Sequence, residues 1–140
     1  MTQGKAVFTG DEGEIILAAD AKTIKDGHKG RRKEIEEGGK DNYVEAEFFG
    51  LNTFNKLIAN FKDECVGFRV YHGSRHEDHA GEGVKITKEG SAKRTSRVVI
   101  VPVDKYGNDL RSPRGLKDDS GSAVANGPLC PNKCAPPTND

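Results

Sequence analysis

In a chain of 140 residues, 22 basic and 22 acidic side chains leave no net charge. That balance argues against a nucleic-acid binder relying on a general positive field, and it gives little electrostatic protection against self-association. Hydrophobic residues make up 34% and charged residues 31%, with 17 glycines and no tryptophan, so one domain of ordinary size with a small core and long polar connections is expected.

From the start, KAVF (Lys5 to Phe8) reads as a short strand. MTQGKAVFTGDEGE has no cationic start followed by an apolar run, so no signal peptide is expected. No stretch approaches the ~18 apolar residues of a membrane span. The expected location is therefore the cytoplasm, where cysteines stay reduced and disulfides are rare. Ile16, Ala19 and Ile24 predict a helix from Leu17 to Asp26, stopped by Gly27 and Gly30, because glycine readily takes the left-handed conformation that ends helices. RRKEIEEGGKDN is charged, with Ile35 its one large apolar residue; it reads as a helical extension or an exposed connection.

YVEAEFF alternates, which predicts a half-buried strand with Val44, Ala46 and Phe48 inward and Glu45 and Glu47 outward. LNTFNKLIANFKDE is the strongest helix, with Asn52 or Thr53 available as its cap and Phe54, Leu57, Ile58 and Phe61 on one face. CVGFRVYHG predicts a second strand, with a polar loop carrying the histidines after it. SRVVIVPVDKYGND is a third strand, apolar on both faces and so central or doubly covered. Pro102 places its end at an edge or bulge, and Asp104, Gly107 and Asn108 make the following turn. Beyond Leu110 few apolar residues remain. The expected organisation is a single α+β domain over residues 1–110, a small mainly antiparallel sheet with one or two helices on one face. An irregular tail, 111–140, would follow, linker-like at DDSGSAVANG and carrying Cys130 and Cys134.

Five basic residues lie between Lys85 and Arg97 against one acidic, Glu89. With no aromatic residue interleaved to stack on bases, they read as a solvated hairpin loop rather than a nucleic-acid patch. Asp104, Asn108 and Asp109 are oxygen ligands of the kind calcium takes, but the twelve-residue loop and terminal glutamate of an EF-hand are missing.

Cys130 and Cys134 are separated by three residues with no helix apparent, unlike a thioredoxin-type redox pair. Two thiolates could serve zinc, which needs four ligands. Cys65, at the opening of a strand, reads as a small buried apolar residue. His72, His76 and His79 fall within eight residues and could complete a site if the tail folds back over them; the alternative is an exposed polar loop. His76-Glu77-Asp78-His79 is one residue short of the zinc-protease pattern. No phosphate loop and no nucleophile elbow are present, so no catalytic residue and no cofactor other than zinc is implied.

Taken in order, FFGLNTFNKLIANFKDECVGFRVYHG, VVIVPVDKYGNDL and CPNKC resemble a group of small uncharacterised bacterial proteins. In that group an apolar helix leads into a Cys-x-Gly-(Ile or Phe)-Arg-(Ile or Val)-Tyr strand. A Val-Asp-x-x-Gly-Asn-Asp turn follows, and a Cys-Pro-x-x-Cys tail closes the chain. The resemblance covers Phe48 to Cys134; it implies a shared fold and supplies no activity.

Two functions remain. The first is a non-catalytic interaction or self-assembling structural protein, a homo-oligomer or the binder of a protein partner, whose edge strands and tail make the contacts. The second is a metal-binding or thiol-sensing module built from Cys130, Cys134 and two of His72, His76 and His79.

Overall fold

Three short helices and two small sheets make up the α+β fold seen in the computed structural model, which describes residues 4–79, 85–87 (backbone only), 92–111 and 123–130. In chain order these are α1 (Ala18–Lys29), α2 (Arg32–Gly38), β1 (Asp41–Asn42), β2 (Ala46–Glu47) and α3 (Leu51–Phe61). A single 3-10 turn, Lys62–Glu64, leads to β3 (Gly67–Asp78), β4 (Lys85–Thr87), β5 (Lys93–Val103) and β6 (Leu129–Cys130). The larger sheet has the order β1-β5-β3-β4, and β2 pairs with β6 in the smaller one. Among the described residues no helix is long and apolar enough to cross a membrane.

The chain forms two compact units. The first comprises Met1–Glu14, Phe49–Tyr71 and Val98–Asn126; the second comprises Ile15–Phe48, His72–Arg97 and Gly127–Asp140. The expectation for 1–110 was one domain.

The core of the first unit is the apolar face of α3. Leu57 and Phe61 are buried against Ile100 and Val124, with Phe49, Phe54, Cys65 and Leu110 packed around them. The helical spacing read from the sequence therefore selects the right face, although Ile58 stays partly exposed. The helix starts after Gly50 with no side-chain cap, so neither Asn52 nor Thr53 serves. Val124 bridges Ile100 through a reciprocal pair of backbone hydrogen bonds, 2.9 Å each. Lys5–Phe8 is not a strand; the amides of Val7 and Phe8 instead donate to the carbonyl of Lys105. The turn after β5 is built on Asp104, whose carboxylate accepts the amides of Tyr106 and Asn108, with Gly107 at φ 88, where a Cβ would be strained.

In the second unit, α1 runs through Gly27 to Lys29 and buries none of its residues. Its C-terminal end holds it: His28 stacks on Tyr43 with ring centroids 5.5 Å apart and bonds the carbonyl of Val44 at 2.6 Å, and Lys29 pairs with Glu45 at 3.1 Å. α2 sets the Arg32 guanidinium 5.0 Å over the same Tyr43 ring. β1 runs parallel to β5, Asp41 opposite Arg94 and Asn42 opposite Thr95. β4 is antiparallel to β3 from His76 to Asp78. His76 reaches Ala92 and Gly73 lies against Arg97, so β3 and β5 are antiparallel too.

Three expectations are corrected here. The polar loop after Gly73 is strand as far as Asp78, because its charged side chains find partners across the sheet. The face of 43–49 is inverted: Phe48 is 64% exposed, while the Glu47 side chain is only 6% exposed, against Arg97. The segment expected to be irregular, 111–140, contains β6 and the Val124 bridge within its described part, 123–130.

Candidate functional site

Arg75, Glu77 and His79 alternate along β3 and its end, so their side chains share a face. Glu77 sits between the other two with a fully buried side chain. Arg75 Nε donates to its Oε2 at 2.5 Å and His79 Nε2 to its Oε1 at 2.9 Å. On β5, Arg97 shares a face with Thr95 and meets Glu77 in a two-pronged contact, Nε to Oε2 at 2.8 Å and Nη2 to Oε1 at 3.0 Å. This geometry is among the strongest that charged side chains make. Asn42 ties in β1, donating to Thr95 Oγ1 at 2.8 Å and to the Glu77 carbonyl at 3.2 Å.

Burial alone would favour the neutral acid at Glu77. The hydrogen bonds from Arg97, His79 and Arg75 outweigh it and hold the carboxyl at about 2, so at neutral pH it is an ion that neither gives nor takes a proton.

Arg97 has a second carboxylate and a second role. Its Nη1 donates to Glu47 Oε2 at 2.9 Å and to the carbonyl of Gly127 at 2.8 Å. Glu47 in turn accepts the Gly127 amide at 2.9 Å. Both polar groups of the Gly127 backbone are thus read by a buried ion pair. From there the chain continues as β6 along β2, with Cys130 opposite Ala46 and Leu129 opposite Glu47. The amide of Phe48 donates to Pro128 and that of Glu45 to Cys130, and Leu129 is buried. Gly127 has no room for a side chain, since a Cβ there would overlap the carbonyl of Phe48.

The residues singled out from the sequence fall around this centre. His79 is part of it, but its Nε2 must carry the proton it donates to Glu77, so that nitrogen has no lone pair for a metal. His76 Nδ1 bonds the carbonyl of Ala92 at 2.9 Å. His72 is exposed on β3. Cys130 is disulfide-bonded, and a disulfide sulfur is not the thiolate that zinc requires. Cys134 lies outside the described residues. Among the described residues no three His, Cys, Asp or Glu side chains are grouped to hold a metal ion.

Sequence reasoning missed Glu77, Arg97 and Glu47. Arg97 was counted with the solvated basic loop, and Glu47 was placed on the outer face. The signal available was the period-two run Arg75, Glu77, His79 beside Thr95, Arg97, which marks strands with a polar inner face.

A separate cluster lies in the first unit. Arg69 Nη1 donates to Asp109 Oδ1 at 2.6 Å and to the carbonyl of Gly107 at 3.3 Å, and the Tyr71 hydroxyl donates to the other oxygen of Asp109. Beside it is a shallow cleft of about 150 Å³, with Phe8, Val66, Phe68 and Val103 as its apolar wall. These contacts join the Cys65–Tyr71 strand to the Val103–Asp109 turn, two of the motifs quoted above.

Comparison with protein-family models, with curated proteins and with solved structures finds no match to this chain.

Proposed function

We propose that this chain is a non-catalytic, self-assembling structural protein whose exposed apolar surfaces, strand edges and C-terminal segment make contacts between copies. The observation that carries the reading is α1. A 12-residue helix with no buried residue is fastened, among the described residues, by polar contacts at its C-terminal end, while Leu17 is 73% and Ile24 70% exposed. Leu17, at the start of the helix, and Ile24 lie seven positions apart and so on one face, and both are uncovered.

Within the first unit, the stretch Gly67–Tyr71 of β3 has no strand on its β4 side among the described residues. Phe68 and Val70 stay exposed there, an edge of the kind that pairs with another chain. Zero net charge removes the long-range repulsion that would keep copies apart.

The metal-binding alternative is not carried forward, because no observation favours it over the disulfide at Cys130. That disulfide also bears on the cytoplasmic placement, since an oxidising compartment is where such bonds persist.

Sedimentation velocity across a concentration series tests the proposal. Oligomers are expected, and they should be lost in Leu17→Lys with Ile24→Lys, changes at exposed positions that leave the fold intact. A wild-type chain that stays monomeric throughout sinks the proposal.

A further inference from the structure

Asn126 and Gly127 form the only Asn-Gly pair in the chain, and the fold accounts for each residue where it stands. Asn126 sits at φ 65, in the left-handed region that asparagine tolerates better than most side chains. Gly127 has no room for a Cβ, which would overlap the carbonyl of Phe48. The resulting pair is one in which the main chain readily attacks the asparagine side chain, because the next residue carries no side chain to obstruct ring closure.

The reaction is deamidation. The Gly127 nitrogen gives its proton to solvent hydroxide and bonds to the side-chain carbonyl carbon of Asn126. The side-chain carbon–nitrogen bond breaks, and the departing nitrogen takes a proton from water and leaves as ammonia. Water then opens the cyclic imide to aspartate, or to isoaspartate with one more methylene in the main chain.

Asn126 is exposed, so water reaches its side chain, but the attacking nitrogen is occupied. Its N–H donates to Glu47 Oε2 at 2.9 Å, and the carbonyl of Gly127 accepts from Arg97 Nη1 at 2.8 Å. Glu47 and Arg97 are 6% and 10% exposed, so water competes little for these charge-assisted bonds. Two residues before Asn126, the amide and the carbonyl of Val124 are both bonded to Ile100. Ring closure must turn the Asn126 Cα–C bond and swing the Gly127 amide away from Glu47. With the chain held on both sides of Asn126, that turn is blocked.

We infer that Asn126 is a deamidation site that the fold keeps unreactive, and that the bonds from Glu47 and Arg97 to Gly127 hold it so. It reacts when Gly127 leaves those partners. Isoaspartate then lengthens the main chain beside a residue that must be bonded at both polar groups, so the modified segment no longer fits. This goes beyond the self-assembly reading and does not depend on it.

The test incubates full-length protein at mildly alkaline pH, folded or in guanidinium chloride, and follows deamidation at Asn126 by peptide mass mapping. Folded wild type should react about tenfold more slowly than the unfolded chain, or slower still. Glu47→Ala, shown to be folded by circular dichroism, should react about tenfold faster than folded wild type. Glu47→Gln, which keeps an acceptor oxygen without the charge, should fall between them. Asp109→Ala, a change in the first unit that leaves Glu47 and Arg97 alone, should not alter the rate.

No reaction at Asn126 in the unfolded chain overturns the site, and equal rates folded and unfolded overturn its protection. If Glu47→Ala has no effect, or no more than Asp109→Ala, the role of Glu47 is overturned. Refolded after deamidation, the chain should exchange the Gly127 amide hydrogen faster than the unmodified chain does; equal exchange overturns the loss of fit.

Discussion

Arg97 and Glu77 are joined by two hydrogen bonds, 2.8 and 3.0 Å, with the arginine side chain 10% and the glutamate side chain 0% exposed. Most of the centre's charged contacts pass through one of them: Arg75 and His79 through Glu77, Glu47 and the Gly127 carbonyl through Arg97. Removing one partner of such a pair leaves buried charge behind, which costs about 3–5 kcal/mol. Glu77→Ala should lower unfolding stability by that amount in urea titration. Asp109→Ala, which breaks the half-exposed pair with Arg69, should cost only about 1 kcal/mol. Equal losses would mean that the buried centre has no special weight.

The same carboxylate sets an acid limit. Glu77 titrates at about 2 in the folded chain and near the ordinary ~4.3 when unfolded. In that interval the unfolded chain binds the extra proton, so stability falls as pH falls. The contribution is whole above about pH 5 and gone below about pH 2, on the order of 3 kcal/mol. Unfolding free energies of wild type and Glu77→Gln should differ at pH 6 and converge towards pH 2. A gap that does not narrow on acidification refutes the assignment.

Tyr43 is buried, and its hydroxyl has no hydrogen-bond partner among the described residues. An unsatisfied buried hydroxyl costs about 1–3 kcal/mol, while the ring keeps its stacking on His28 and its contact with Arg32. Tyr43→Phe should therefore raise the thermal midpoint, by an amount equivalent to about 1 kcal/mol. A lowered midpoint in calorimetry would show that the hydroxyl has a partner in solution.

The chain has three cysteines, of which Cys65 is a free thiol and Cys130 is disulfide-bonded. Cys134 is the only other cysteine in the chain. Thiol titration of denatured, unreduced protein should give one reactive group per chain, and three after reduction. Three before reduction would remove the disulfide and reopen the tail as a source of thiolates.

How far the site could be read in advance is clearest at Glu47 and Arg97. The alternation of YVEAEFF fixes two faces of a strand but not which is inward. Apolar Val44, Ala46 and Phe48 argued for one face, and the structure chose the other because Arg97, fifty residues away, and the Gly127 amide both need a carboxylate there. His76, Glu77 and Asp78 looked like loop for a similar reason: polar residues predict solvent unless their partners are known.

What the amino-acid sequence determined by itself was local. The apolar spacing of Phe54, Leu57 and Phe61 made α3 and chose its buried face. The apolar run through Ile100 put β5 inside the sheet. Asp104, Gly107 and Asn108 closed the turn after it. These follow from side-chain size, backbone freedom and bonds within a few residues of one another. Tertiary structure decided where the charges go. A carboxylate such as Glu77 enters the interior only when cations on the same and neighbouring strands repay its lost hydration, and pairing between distant strands is a property of the folded chain.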